Sequence, residues 1–177
     1  VEKVVLVEID SQVIEASRRY LPQVSLALSD PRVEIRVEDG LRHVKDSKET
    51  YDVVIVDSTE PVGAAVGLFS HEFYMDIFDS LREDGIVVAQ TESPFYNKDL
   101  IKRCTAAMAR LFPVTRLFLA SIPTYPSGLW SFTLGSKEHD PLAVPAERCA
   151  DIDTRYYTPD VHRAAFSLPR FVQELVG

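Results

Sequence analysis

Asp57 and Glu60 are carboxylates three residues apart in the run Asp57-Ser58-Thr59-Glu60-Pro61-Val62-Gly63. The apolar run before them, Val53 to Val56, reads as a strand buried on both faces. In open α/β sheets, ligands bind outside the carboxyl ends of the strands, which is where Asp57 stands. Pro61, Gly63 and Gly67 turn the chain there instead of letting a helix begin at once. Two acids on such a loop make an anionic pocket suited to a cation. An acid after a strand also commonly caps the next helix. Here the next helical pattern begins near Ser70, so Ser70 is the better cap.

The same arrangement, an apolar run stopped by an acid, occurs upstream. Val4 to Val7 ends in Glu8-Ile9-Asp10, and Ser11 to Tyr20 then carries Val13, Ile14 and Ala16 at helical spacing. A carboxylate closing such a strand can accept hydrogen bonds from both hydroxyls of a ribose. Asp10 or Ser11 caps the helix, which leaves Glu8 as the ribose candidate. Val33 to Val37 alternates as a strand and stops at Glu38-Asp39-Gly40. Asp39 can accept from an adenine amino group while Gly40 lets the base approach the backbone. A plain Asp-Gly turn is the competing reading.

The positioning elements follow from periodicity. A short helix is expected over Leu41 to Lys48 and an amphipathic one from Ser70 to Leu81, closed by Glu83-Asp84-Gly85. Ile86 to Ala89 is the next strand, ending in Gln90-Thr91-Glu92-Ser93. Leu100 to Leu111 is a helix stopped by Pro113, and Val114 to Ala120 a strand. Ile122-Pro123-Thr124-Tyr125-Pro126-Ser127-Gly128 is a loop stiffened by prolines that presents one aromatic ring, and Leu129 to Gly135 is a strand that can pair antiparallel with the one before. Residues 139–153 read as a surface loop, and 140–177 as loop and C-terminal helices entered through Pro159 and Pro169. Repeated strand and helix, with acids at successive strand ends, implies an α/β fold with a doubly wound, mostly parallel sheet.

At 177 residues, 46% hydrophobic and 26% charged, the chain suits one domain with one core. A formal charge of −8 argues against nucleic acid as a partner and suits a cationic substrate. No apolar run approaches the roughly 20 residues of a membrane span. Cys104 and Cys149 lie far apart, and His43, His71, His139 and His162 have no metal-ligand spacing, so no metal site is expected and the histidines read as surface or packing residues.

Together these residues resemble the polyamine aminopropyltransferases, the family of spermidine synthase. The resemblance is carried by Val7-Glu8-Ile9-Asp10, Asp39-Gly40, the Asp57 to Gly63 loop, Gln90 to Ser93, Ile122 to Gly128 and the tail from Tyr156-Tyr157 to Phe166. It implies an S-adenosylmethionine-methyltransferase-like, Rossmann-like fold that moves the aminopropyl group of decarboxylated S-adenosylmethionine, a co-substrate and not a cofactor, to a diamine such as putrescine. On that resemblance Glu8 takes the ribose hydroxyls, Asp39 with Gly40 the adenine edge, Gln90 and Tyr125 line the amine pocket, Asp57 accepts the proton of the attacking amine, and Glu60 holds its cationic end. It also implies a homodimer or homotetramer, while the two separated cysteines, with no disulfide framework, suit a reduced, cytoplasmic setting.

The chain departs from the family pattern at Glu60, where Asp is usual, and at Ala64, where Pro is usual. The family's glycine-rich, acid-containing loop and its preceding strand are absent before Val1, so the central first strand of the sheet is expected to be missing and this chain alone to be incomplete as an enzyme. The rival readings are an S-adenosylmethionine-dependent methyltransferase, which shares the fold and the ribose acid, and a non-catalytic remnant acting in binding or assembly. Asp57 with Glu60 and Tyr125 distinguishes the polyamine reading from the first.

Overall fold

The computed structural model describes residues 1–59, 62–150 and 153–176. The chain divides into two compact units, Val1–Ser47 and Lys48–Gly177.

In the first unit, β1 (Val4–Glu8) and β2 (Val33–Val37) pair in parallel, in register from Val4 opposite Val33 to Glu8 opposite Val37. A parallel pair needs a crossover. That crossover is α1 (Ser11–Tyr20), α2 (Pro22–Ser25) and a 3₁₀ turn over Leu26–Ser29. Pro22 at the first helical position starts the last two. Asp10, not Ser11, caps α1, its carboxylate accepting from the Gln12 N–H at 2.8 Å. The α3 helix (Gly40–Lys45) follows β2, and Ile14 and Val44 are the buried apolar side chains of this unit.

The second unit is a mixed sheet in the order β3-β4-β6-β5. Its strands are β3 (Tyr51–Val56), β4 (Leu81–Gln90), β5 (Val114–Ser121) and β6 (Leu129–Ser136). β3 and β4 are parallel, joined through α4 (His71–Ser80). β6 lies antiparallel to both β4 and β5. The short connection between β5 and β6 can only reverse the chain, and this makes the sheet mixed. Ser70 caps α4 by accepting from the Phe73 N–H at 3.1 Å. Phe73, Tyr74 and Ile77 on α4, and Ile101, Cys104 and Met108 on α5 (Lys98–Ala109), are buried. A further cluster joins Ile101 and Leu117 to Val172 and Leu175 of α8 (Arg170–Val176). Each such aliphatic side chain contributes roughly 2 kcal/mol by leaving water.

The structure corrects the sequence expectations in three places here. Val53 and Ile55 of β3 are 54% and 75% exposed, so this strand is not buried on both faces. Its one strand partner among the described residues is β4, and alternate side chains of a strand point to opposite faces. Glu83-Asp84-Gly85 does not close α4. Tyr51 pairs with Leu81 and Val53 with Ile86, so the intervening residues form a bulge within β4. Finally, residues 139–153 are not all loop: a 3₁₀ turn at Pro141–Ala143, with Asp140 accepting from the Leu142 N–H, precedes α6 (Ala146–Ala150), both too short to show periodicity. The tail carries α7 (Pro159–Ala165), where His162 Nε2 donates to the Pro141 carbonyl at 2.8 Å. No helix among the described residues is long and apolar enough to cross a membrane.

Candidate active site

In the first unit, Glu8 and Asp39 lie at the same edge, the carboxyl ends of the paired β1 and β2, where the Glu38 N–H donates to the Glu8 carbonyl at 3.2 Å. Glu8 Oε1 accepts from the Asp10 N–H at 2.9 Å, and Asp39 Oδ1 accepts from the Leu41 N–H at 2.9 Å, capping α3. The choice between cap and ligand group is therefore not exclusive: each carboxylate uses one oxygen locally and keeps a second. Gly40 opens the helix, and a Cβ built there would meet nothing within 4 Å. Glu8 also lines a cavity of about 240 Å³ walled by Leu6, Val13, Ile14, Val24 and Leu28. His43, reached one turn after Asp39, is buried with Nδ1 2.7 Å from a Glu38 carboxylate oxygen, so it is a packing residue that ties the acid-bearing turn to α3.

In the second unit the register of β3, β4 and β6 gathers the remaining candidates. Val56 lies opposite Ala89, so Asp57 and Gln90 leave the sheet at the same end, and Gln90 lies opposite Phe132 of β6. Asp57 is exposed, with no hydrogen-bond partner among the described residues. Gln90 is almost fully buried and its amide is bonded at both ends. Its Oε1 accepts from the Trp130 indole N–H; its Nε2 donates to the Ser58 carbonyl, next to Asp57, and to Glu92 Oε1 at 3.3 Å. Tyr125 is half exposed, with its ring 4.4 Å from that of Trp130 between centroids and tilted by 35°. Glu60 lies outside the described residues, and the Ala64 side chain with it.

The loop that carries Tyr125 is closed on itself. The Ile122 N–H donates to the Gly128 carbonyl at 2.8 Å, and the Ser127 and Ser93 hydroxyls meet at 3.0 Å. Ser127 and Gly128 are both left-handed, at φ of 72° and 67°. Glycine takes that conformation freely, whereas a side chain costs roughly 1–2 kcal/mol there. Glu92 likewise has a positive φ, of 72°, and is buried; its carbonyl accepts from both the N–H and the hydroxyl of Ser131, at 2.9 and 2.8 Å. Glu92 and Ser58 stand in motifs that carry no evident role for them, and Trp130 lies within a strand outside every motif. The signal was available in part, since a buried Trp seeks an acceptor for its N–H. Neither cysteine has the environment of a reactive thiol: burial pushes the Cys104 thiol up, and Cys149 is buried.

Residues 1–144 match the family model described as the spermine/spermidine synthase domain. The chain belongs to this family. Members similar to it include the polyamine aminopropyltransferase of Caldicellulosiruptor bescii, 58% identical over 176 residues that cover 99% of this chain and 63% of that protein. The polyamine aminopropyltransferase of Bacillus subtilis is 53% identical, with 99% of this chain and 64% of that protein covered. Among solved structures, a spermidine synthase in complex with the transition-state analogue AdoDATO superposes with a TM-score of 0.96 at 42% identity, covering 100% of this chain and 62% of that one. The spermidine synthase from Thermotoga maritima superposes at 0.93 with 42% identity, covering 99% and 60%. The methyltransferase-like α/β fold expected from the motifs is thus the family's fold. The chain spans a little under two thirds of the length of the family members it matches.

Proposed function

We propose that the intact protein transfers the aminopropyl group of decarboxylated S-adenosylmethionine to a diamine, putrescine or a near relative, giving spermidine or its homologue and 5′-methylthioadenosine. The observation that carries this is an exposed acid, Asp57, without a hydrogen-bond partner among the described residues, at the same sheet end as the buried Gln90, with the ring of Tyr125 on the Trp130 that Gln90 bonds, in a member of this family. A diamine is protonated near neutral pH, and its nitrogen attacks only after losing a proton, so a carboxylate beside the reacting nitrogen is the group the reaction requires. Asp57 fills that role. As the neutral nitrogen approaches, a new C–N bond forms and the C–S bond breaks; the sulfonium leaves as a neutral thioether and its positive charge passes to the new secondary ammonium, Asp57 having taken the one proton already.

The leaving group is already activated by its positive sulfur, so alignment supplies most of the remaining rate. Glu8 and Asp39 are the donor residues in this reading: each has a carboxylate oxygen beyond the one its own loop uses, for the ribose hydroxyls and the adenine amino group respectively. Gly40 leaves room for the base. Tyr125 offers a ring face to the methylene chain and a hydroxyl to its end, with Glu60 on the same loop as Asp57 as partner for the distal ammonium. The net charge of −8 favours cationic acceptors. On the resemblance we also assign a homodimer or homotetramer, with the donor a co-substrate and no cofactor, and on the two separated cysteines a cytoplasmic setting.

The test is aminopropyl transfer by the intact protein with decarboxylated donor and putrescine, compared with S-adenosylmethionine as a methyl donor. Asp57→Asn should bind methylthioadenosine as the wild type does and lose roughly 10²- to 10⁴-fold in kcat, the usual weight of a general base. Wild-type turnover with methyl transfer alone, or an unimpaired Asp57→Asn variant, would sink the assignment.

A further inference from the structure

We infer that Trp130 is a positioning residue for the acceptor side of this site, acting through the Gln90 amide on the loop that carries Asp57 and directly on Tyr125. The inference rests on aminopropyl transfer as the reaction. Trp130 sits on β6, opposite Ala120 of β5, and is buried. Its indole has one polar atom, a donor, and that N–H meets Gln90 Oε1. The other end of the same amide meets two acceptors, the Ser58 carbonyl and Glu92 Oε1. A glutamine amide is nearly the same shape in its two orientations, so packing alone does not choose between them. Here one donor on one side and two acceptors on the other leave a single orientation in which every group is satisfied. Trp130 holds the oxygen end, and this directs the NH₂ end to the carbonyl that follows Asp57 in the chain.

The same indole is the surface against which the Tyr125 ring rests, at 4.4 Å between centroids. One buried side chain thus touches both residues assigned to the amine, one by a hydrogen bond and the other by its face, without being exposed to the substrate itself. Glu92 reinforces the geometry through the backbone, its carbonyl accepting from the residue after Trp130. Without the indole N–H, Gln90 Oε1 is left in a buried place and the amide swings, so the Asp57 loop loses its tether while the donor acids Glu8 and Asp39 are untouched.

The experiment uses the intact protein with Trp130→Phe, which keeps an aromatic face and removes the donor, and Gln90→Ala alone and in combination. Loss of one buried hydrogen bond corresponds to roughly a 10-fold effect. Trp130→Phe is expected to lower kcat/KM for putrescine about 10-fold, while the methylthioadenosine dissociation constant stays within about twofold, and to add nothing in the Gln90→Ala background. Equal kinetics for Trp130→Phe and wild type, equal losses for donor and acceptor, or losses that multiply in the double variant would overturn the inference. If Trp130→Phe does not fold, benzothienylalanine at position 130, isosteric with tryptophan but without the N–H, makes the same comparison. A wild type without aminopropyl transfer would defeat the assigned reaction. In that case, the side-chain amide protons of Gln90, followed by ¹⁵N NMR, still decide the contact: protected in wild type and unprotected in Trp130→Phe as expected, or unchanged, which refutes it.

Discussion

Gln90→Glu exchanges the NH₂ of a buried amide for an oxygen and changes almost nothing in shape. The oxygen end still accepts from Trp130, but the other end now faces the Ser58 carbonyl and Glu92 Oε1, the latter 3.3 Å from the replaced atom. Two carboxylates at that separation repel by about 5 kcal/mol at an effective dielectric of 20. The protein has a less costly escape, which is to keep one proton on the pair. Holding a carboxyl of ordinary pKa near 4.3 protonated at pH 7 costs about 3.7 kcal/mol, so protonation wins and sets the penalty at about 3–4 kcal/mol. The sign follows. The folded variant binds a proton that its unfolded chain has released, so its stability falls as pH rises above the ordinary carboxyl range, by about 1.4 kcal/mol per pH unit relative to wild type. Urea unfolding of both proteins from pH 5.5 to 7 should show the gap widening by about 2 kcal/mol over that interval. A gap independent of pH, or none at all, would refute the contact of the Gln90 amide with a Glu92 carboxylate from which the prediction is built.

Other consequences are open to measurement. A Cβ at Gly135 would lie 2.6 Å from Cδ2 of the buried Phe112, which itself packs edge-on against Phe78, so Gly135→Ala should cost about 1–3 kcal/mol of stability in a melt. An unchanged melting temperature would show that the Phe112 ring moves freely. Arg116 Nη2 lies 2.6 Å from Asp140 and, with the Leu142 N–H, holds that carboxyl below its usual range. A depressed carboxyl pKa stabilises the fold above the unfolded value near 3.9, and that contribution is lost as pH falls through the folded value. Both side chains are partly exposed, so Arg116→Ala should cost no more than about 1 kcal/mol at pH 7, a cost that shrinks as pH falls below the ordinary carboxyl range; a loss that does not change with pH would assign Arg116 a packing role instead.

Strand, acid and helix were legible because each leaves a local mark. Val4–Glu8, Val33–Val37 and Tyr51–Val56 are short apolar or alternating runs, and the residue after each signals its own turn. Caps were legible to within a residue: Ser70 as expected, and Asp10 rather than Ser11, a choice that depends on which oxygen reaches the Gln12 N–H. What was hidden is set by register. Trp130 is 40 positions from Gln90, and only the pairing of β4 with β6 brings the two together. The bulge at the start of β4 is likewise invisible until Tyr51 meets Leu81. The exposure of Val53 and Ile55 could not be read from their apolar character, because composition reports what a side chain prefers and not what covers it.

The loop between β5 and β6 begins and ends at one hydrogen bond, from the Ile122 N–H to the Gly128 carbonyl, immediately beyond the last ladder pair of Ser121 and Leu129. Its conformation is held by that closure, by the Ser127–Ser93 contact and by the Tyr125 ring resting on Trp130 of β6. The residues between Ile122 and Ser127 are in effect an exchangeable cassette. A shorter or longer stretch can be grafted between the same two anchors to re-shape acceptor choice, while β6 continues to hold Trp130 under whatever ring takes the place of Tyr125.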